Sequence, residues 1–172
     1  MSEGAGAIEA GRVNPAGESI VTIAANVAPA PRTVSWLGAD YTIIVERGES
    51  GGSLGMFQST VPAGYGPPLH IHNNEDELIH VLEGAYEFWL DGGTCRKGPG
   101  EAIFLPRGVP HTFRVVSAGP GKNLTVLTPG GFETFFRDAA ARDLRFPADP
   151  RDVAALSERY ALQFLGPAAW AA

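Results

Sequence analysis

Up to residue 130 the apolar residues fall in short runs, many alternating with polar ones and rich in β-branched types, and glycine or proline interrupts them repeatedly. Residues 41–45, 54–61, 78–82, 85–90, 102–105, 112–116 and 123–128 read as strands, and residues 19–25 and 33–36 have strand-like β-branched content. His70-Ile71-His72 forms a further short strand, Pro62-Ala63-Gly64 closes the strand before it, and Asp91-Gly92-Gly93 is a strong hairpin signal. Roughly ten short strands at regular spacing predict an all-β sandwich or barrel. Beyond residue 130 the period changes. Phe132, Phe135, Phe136 and Ala139 are spaced as on a helix over residues 131–143. A second helix is expected over residues 150–165, with Asp149 as N-cap, Pro150 at its first position, and Val153, Leu156, Tyr160 and Phe164 on its apolar face. Gly166-Pro167 stops it. The pattern divides the chain into a mobile tail (residues 1–17), a β-barrel (18–130) and a helical segment (131–172) that packs on the barrel or caps one end.

Composition narrows the class. With 172 residues, 44% hydrophobic and 19% charged, the chain is long enough for one sizeable core. Its 22 glycines and 14 prolines suit tight turns between strands. A net charge of −6 argues against a nucleic-acid groove. No apolar run is long enough to span a bilayer, and residues 1–17 lack the basic flank and apolar stretch of a signal peptide. Cys95 is the only cysteine, so no disulfide can form within the chain, and the cytoplasm is the expected compartment.

Candidate chemistry sits in two islands. In the first, His70 and His72 lie two apart on a strand, so both imidazoles share one face, and Glu77 follows with an anionic oxygen. In the second, Pro106-Arg107-Gly108 sets a turn that delivers His111. Three histidines and one carboxylate suit one divalent transition metal per chain: Fe, Mn, Ni, Co, Cu or Zn. Glu75 and Asp76 are alternative carboxylates, more simply read as a solvated strand entrance. His80, three residues after Glu77, points by strand parity to the opposite face. Met56, Tyr86, Phe88, Phe104 and Phe113 are barrel-core candidates. Cys95 is expected to be inert, and Arg107 and Arg114 to be solvated or ion-paired.

These islands resemble the two motifs of the cupin superfamily. The first, G-x5-H-x-H-x4-E-x6-G, runs from Gly64 through His70, His72 and Glu77 to Gly84, and the second, G-x5-P-x-G-x2-H, from Gly100 through Pro106 and Gly108 to His111. Fifteen residues separate them. The second motif usually continues to an asparagine, where this chain has Val115. At the place of His80 the family usually carries an aromatic residue. The resemblance implies a double-stranded β-helix (jelly-roll barrel) with one or two C-terminal helices. It also implies a metal bound by His70, His72, Glu77 and His111, four ligands that leave a position open for catalysis. Within the superfamily the chain is most similar to single-domain bacterial cupins of the quercetin 2,3-dioxygenase-like group. That implies a dioxygenase acting on a small aromatic or enolisable, flavonol-like molecule, with dioxygen as co-substrate and Glu77 as both ligand and proton acceptor. A redox-neutral isomerase, lyase or cyclase and a non-catalytic small-molecule-binding cupin are the alternatives. Cupins commonly pair, so a homodimer is expected, with no nucleic-acid or membrane partner; the N-terminal strands are the candidates for exchange.

Overall fold

The computed structural model describes residues 32–145, 147–167 and 170, together with the backbone of two short strands nearer the N-terminus. Contacts divide the chain into residues 1–30 and 31–172. In the first unit the described residues are β1 (Arg12–Val13) and β2 (Ser19–Ile20), paired antiparallel. The rest of the tail expected over residues 1–17, and of the strand expected over 19–25, lies outside the described residues.

The second unit is built of β3 (Arg32–Trp36), β4 (Ala39–Val45), β5 (Gly55–Val61), β6 (Leu69–His72), β7 (Asp76–Glu83), β8 (Tyr86–Leu90), β9 (Gly93–Lys97), β10 (Ala102–Leu105), β11 (His111–Val115) and β12 (Gly121–Thr128). A 3₁₀ turn (Phe132–Thr134) leads into α1 (Phe135–Ala141), followed by α2 (Pro150–Arg159) and β13 (Leu162–Gly166). Two antiparallel sheets result, in the orders β10-β7-β12-β5-β4-β3 and β13-β6-β11-β8-β9. This is the expected jelly-roll class with two short C-terminal helices.

Strand alternation sorts the side chains. On β5, Phe57, Ser59 and Val61 are buried between positions that are only partly so. On β7, Glu77, Ile79 and Val81 point inward while Leu78, His80 and Leu82 point outward. The same parity turns Phe104 outward: it faces outward-pointing Leu78 across the β10–β7 pair and is exposed, and Leu105 takes the core place expected of it. Tyr86 and Phe88 are fully buried as expected. One core cluster gathers Ala39, Val61, Ile79, Val81, Tyr86, Phe88, Leu105 and Val115. A second joins Trp36, Phe57 and Leu127 to Phe132, Phe135, Phe136, Ala139, Val153, Leu156 and Leu162 from the C-terminal segment.

The second helix is shorter than its apolar spacing predicts. It ends at Arg159, the chain turns through Ala161 at φ +51, and residues 162–166 pair with β6 as β13. Phe164 therefore belongs to a strand. Leu162 and Phe164, two apart, share a face in a strand, and the unpaired edge of β6 supplies the hydrogen bonds that another helical turn would have made. Among the described residues no helix is long and apolar enough to cross a membrane.

Glu133 fastens the C-terminal segment to the barrel. It is fully buried, and its carboxylate accepts the backbone N–H of Arg47 (2.7 Å) and of Gly131 (2.6 Å). Gly55 makes room for it, since a Cβ there would stand 2.0 Å from Oε2 of Glu133. Replacing Glu133 by Ala orphans both donors, and denaturant unfolding is expected to show a loss of about 2 kcal/mol. A change within about 0.5 kcal/mol, the range of an ordinary surface substitution, would show that the fastening contributes little.

Candidate metal centre

The two sheets contribute unequally to one buried cluster. His70 and His72 come from β6 and His111 from the neighbouring β11, where His111 stands opposite His70 in register. Glu77 comes from β7, across the barrel in the other sheet. The turn before His111 is stitched down at several points. The Arg107 backbone N–H and guanidinium both donate to Asp76 (2.8–3.1 Å), the same guanidinium reaches the Thr128 carbonyl (3.1 Å), and the Gly108 N–H donates to the carbonyl of His72 (2.8 Å). These Arg107 hydrogen bonds hold the Asp76 carboxyl down at about 2. Gly108 sits at φ +75, a conformation costly for any residue with a Cβ.

Ligand atoms of His70, His72, Glu77 and His111 lie within 4.8 Å of one another, and all four residues are buried. Donors about 2.1 Å from a shared ion stand at most about 4.2 Å apart, so a contraction of a few tenths of an ångström closes the set. Nδ1 of His70 lies 2.8 Å from the Pro68 carbonyl, and Nδ1 of His111 lies 2.8 Å from the Val109 carbonyl. A carbonyl only accepts, so both rings carry their proton on Nδ1 and turn an Nε2 lone pair to the cluster. Glu77 Oε2 is 3.2 Å from Nε2 of His111 and 4.0 Å from Nε2 of His72.

Among the described residues, the buried side-chain atoms without a hydrogen-bond partner are Nδ1 and Nε2 of His72, Nε2 of His111 and Oε2 of Glu75. Two of these are the nitrogens aimed at the cluster. Buried polar atoms are ordinarily satisfied, and a shared cation satisfies both at once. The donor set fits a first-row divalent ion. Burial pushes the His70 pKa well down, helped by His111 and His72, so the ring stays neutral and able to ligate. Burial alone would raise the Glu77 carboxyl. Positive charge at the neighbouring imidazole positions opposes that effect and lowers Glu77, as a cation bound there would.

Beside the cluster lies a cavity of about 80 Å³, walled by Trp36, Tyr41, Phe57, Phe132, Phe136 and Phe164. Its wall includes β13, through Leu162 and Phe164, and the 3₁₀ turn, whose Phe132 ring meets His72 edge-on at 4.3 Å. The C-terminal segment thus shapes the site, which its helical pattern did not disclose. Phe113 lines the cavity, while Met56 lies on the other face of β5 from Phe57.

His80 faces away from the cluster, as parity predicts. Arg107 and Arg114 are ion-paired, Arg114 with Glu87, and Cys95 is exposed. Glu75 departs from its expected solvated place: it is 2% exposed, with Oε2 3.8 Å from Nδ1 of His72. A Glu two residues before a ligand, beside Asn73-Asn74, carries no hydrophobic signature that would announce its burial.

The Cupin domain family matches residues 57–127, and the barrel is a cupin domain. The chain is 31% identical over 97 residues to the quercetin 2,3-dioxygenase of Bacillus subtilis, a match covering 56% of this chain and 28% of that protein. It is 38% identical over 89 residues to the dimethylsulfoniopropionate lyase DddQ of Ruegeria pomeroyi, covering 46% and 44%. The matched segments span less than half of either curated relative. Among solved structures, KdgF from Halomonas sp. aligns with a TM-score of 0.53 at 20% identity over 58% of this chain and 86% of that one. The cupin domain of Schizosaccharomyces pombe Cnp3 aligns at 0.51 with 15% identity over 61% and 75%. Both share the fold.

Two outcomes are expected. His111→Ala abolishes stoichiometric metal binding and His80→Ala does not, as read by elemental analysis after reconstitution; equal loss in both would contradict the inward and outward assignment of these side chains. In the metal-free protein, the unfolded chain takes up a proton on His70 below pH about 6.5, which the folded chain refuses. Stability therefore falls as pH drops from there, and Glu77 extends the fall from about 4.5 downward. Melting temperatures of chelator-treated protein should be level near pH 7–8 and decline on acidification below about 6.5; a rise would mean that the fold holds His70 protonated.

Proposed function

We propose that this chain is a metal-dependent cupin enzyme that holds one divalent transition metal through His70, His72, Glu77 and His111 and acts as a dioxygenase on a small aromatic or enolisable molecule. The observation that carries this reading is the pair of unpartnered Nε2 atoms, with one carboxylate, converging beside an enclosed apolar cavity. When bound, the ion would supply Lewis-acid or redox chemistry, acidifying a coordinated enol or phenol hydroxyl. The surrounding residues do the rest. Glu77 is charged at neutral pH and is the acceptor for that hydroxyl's proton. Positive charge beside it lowers its carboxyl and makes it a weak base, so it takes the proton only from a strongly acidified hydroxyl. The aromatic walls exclude water from reactive species.

Size and polarity narrow the substrate. A cavity of about 80 Å³ is smaller than the roughly 150 Å³ cavity that accommodates benzene. Even one ring needs the walls to yield somewhat and a three-ring flavonol needs them to part widely, so a molecule of one ring or less is favoured. Among the described residues no lysine or arginine lines the cavity, which favours a substrate without a second anionic group there. Its neutral polar groups have partners in the wall, which includes Tyr41, Ser59, Asn123 and Thr125. The hydroxyls of Ser59 and Tyr41 belong to residues opposed in register on β5 and β4, and both residues line the cavity. Burial pushes the Tyr41 hydroxyl up, so it remains protonated and able to donate.

A redox-neutral lyase is the second reading. It is favoured by the small cavity, which suits a short acyclic substrate, and by the similarity to the Ruegeria lyase. A homodimer remains part of the proposal, with β3 at an edge of the larger sheet available to a second copy.

Elemental analysis of the purified protein, with oxygen-electrode assays on catechols, β-diketones and flavonols, tests the reading. A redox-active metal with oxygen consumed on the single-ring or diketone compounds is the expected result. Full zinc occupancy with turnover and no oxygen uptake would select the lyase class. A protein that holds no metal after reconstitution would sink both.

A further inference from the structure

The three imidazoles are not held alike. His70 and His111 each turn Nδ1 to a backbone carbonyl two residues earlier in the chain, at 2.8 Å. His72 has no such carbonyl, and its Nδ1 is buried without a hydrogen-bond partner. An acceptor faces it: Oε2 of Glu75, 3.8 Å away, itself buried and unpartnered. The other oxygen, Oε1, accepts from Nδ2 of Asn74 at 2.9 Å, which fixes how the carboxylate lies. Gly131 leaves room beside it, since a Cβ there would stand 3.3 Å from Oε1. An unpartnered donor and an unpartnered acceptor buried side by side are each costly. A displacement under about 1 Å brings them to hydrogen-bond distance.

We propose that Glu75 is the positioning carboxylate of the metal centre, accepting the Nδ1–H of His72 so that Nε2 faces the ion. This rests on the metal reading above. Charge favours it as well as geometry. Three neutral imidazoles and the Glu77 carboxylate leave a divalent ion with one uncompensated positive charge, and Glu75 supplies the second negative charge in a dry interior, where charge interactions are strong. An ion drawing on Nε2 also makes Nδ1–H a stronger donor, which suits a carboxylate better than a carbonyl. Glu75 lines a separate polar crevice, with Arg47, Asn74, Glu133 and Tyr160, and not the apolar cavity. It touches no substrate and acts through His72 alone.

The test uses the full chain, stripped of metal and titrated with Co(II), comparing wild type, Glu75→Gln and Glu75→Ala. Chelator competition gives the affinity. The exchangeable, paramagnetically shifted N–H protons of the ligating imidazoles report each Nδ1–H separately. Wild type is expected to bind one Co(II) with three such signals. In Glu75→Ala the affinity falls about 10- to 100-fold and one signal is lost to exchange with water, while the two guarded by Pro68 and Val109 remain. Glu75→Gln keeps an acceptor of the same shape without the charge. It is expected to retain the third signal at a changed position with a smaller loss of affinity, and it carries the test if the alanine variant does not fold. Wild-type binding matched within about twofold by both variants, with the three signals unmoved, overturns the role of Glu75 and leaves the metal centre standing. Weakened binding with all three signals unmoved also overturns it, because the change would then be structural. A wild type that binds no Co(II) overturns the proposal together with the metal centre it rests on.

Discussion

Burying three imidazoles and a carboxylate in one small volume is costly unless each finds a partner of opposite character. In this barrel the partners are incomplete: the Nε2 atoms of His72 and His111 face one another's neighbourhood with no donor between them. A cation would resolve the conflict once the set contracts by a few tenths of an ångström. Two rings have their tautomer set by backbone carbonyls of their own segments. Glu77 arrives from the opposite sheet. An ion held there links the two sheets at their inner faces, so metal affinity and barrel stability are coupled quantities.

That arrangement depends on contacts well outside the two histidine islands. Asp76, next to Glu77, anchors the turn that presents His111 through Arg107, so neighbouring residues of β7 reach the same ligand loop from its two sides. β13 runs beside β6, with Leu162 opposite His72 and Phe164 opposite His70. The 3₁₀ turn brings Phe132 against His72. Much of the wall around the cluster is thus supplied by residues beyond 130, and Glu133 holds that segment in place.

The cluster of His70, His72, Glu77 and His111 was legible because it obeys a strict local rule: alternation places His70 and His72 on one face, and motif spacing supplies Glu77 and His111. His80 was legible for the same reason in reverse. What the chain did not announce were features decided by distant partners. β9 has no buried face, so its five residues show no apolar alternation, only the hairpin signal ahead of them. The spacing of Leu156, Tyr160 and Phe164 satisfies a helix, yet the free edge of β6 claims residues 162–166 as a strand. Phe104 has the composition of a core residue and the parity of a surface one, and parity prevails. Glu75 is buried by the packing of the segment around Gly131, far along the chain.

The low pKa of Glu77 bears on both candidate chemistries. A carboxyl lowered by neighbouring positive charge is a firm ligand and a poor base, since it holds a proton for only a small fraction of the time at neutral pH. The first step common to an oxidative and a redox-neutral enzyme, loss of a proton from the bound substrate, therefore depends on how acidic that substrate has become, more than on the carboxylate's own basicity. What distinguishes the two classes comes later and lies in the metal and the substrate. The aromatic cavity, the neutral hydroxyls of Ser59 and Tyr41 and the absence of a lining cation among the described residues constrain the substrate without choosing the metal.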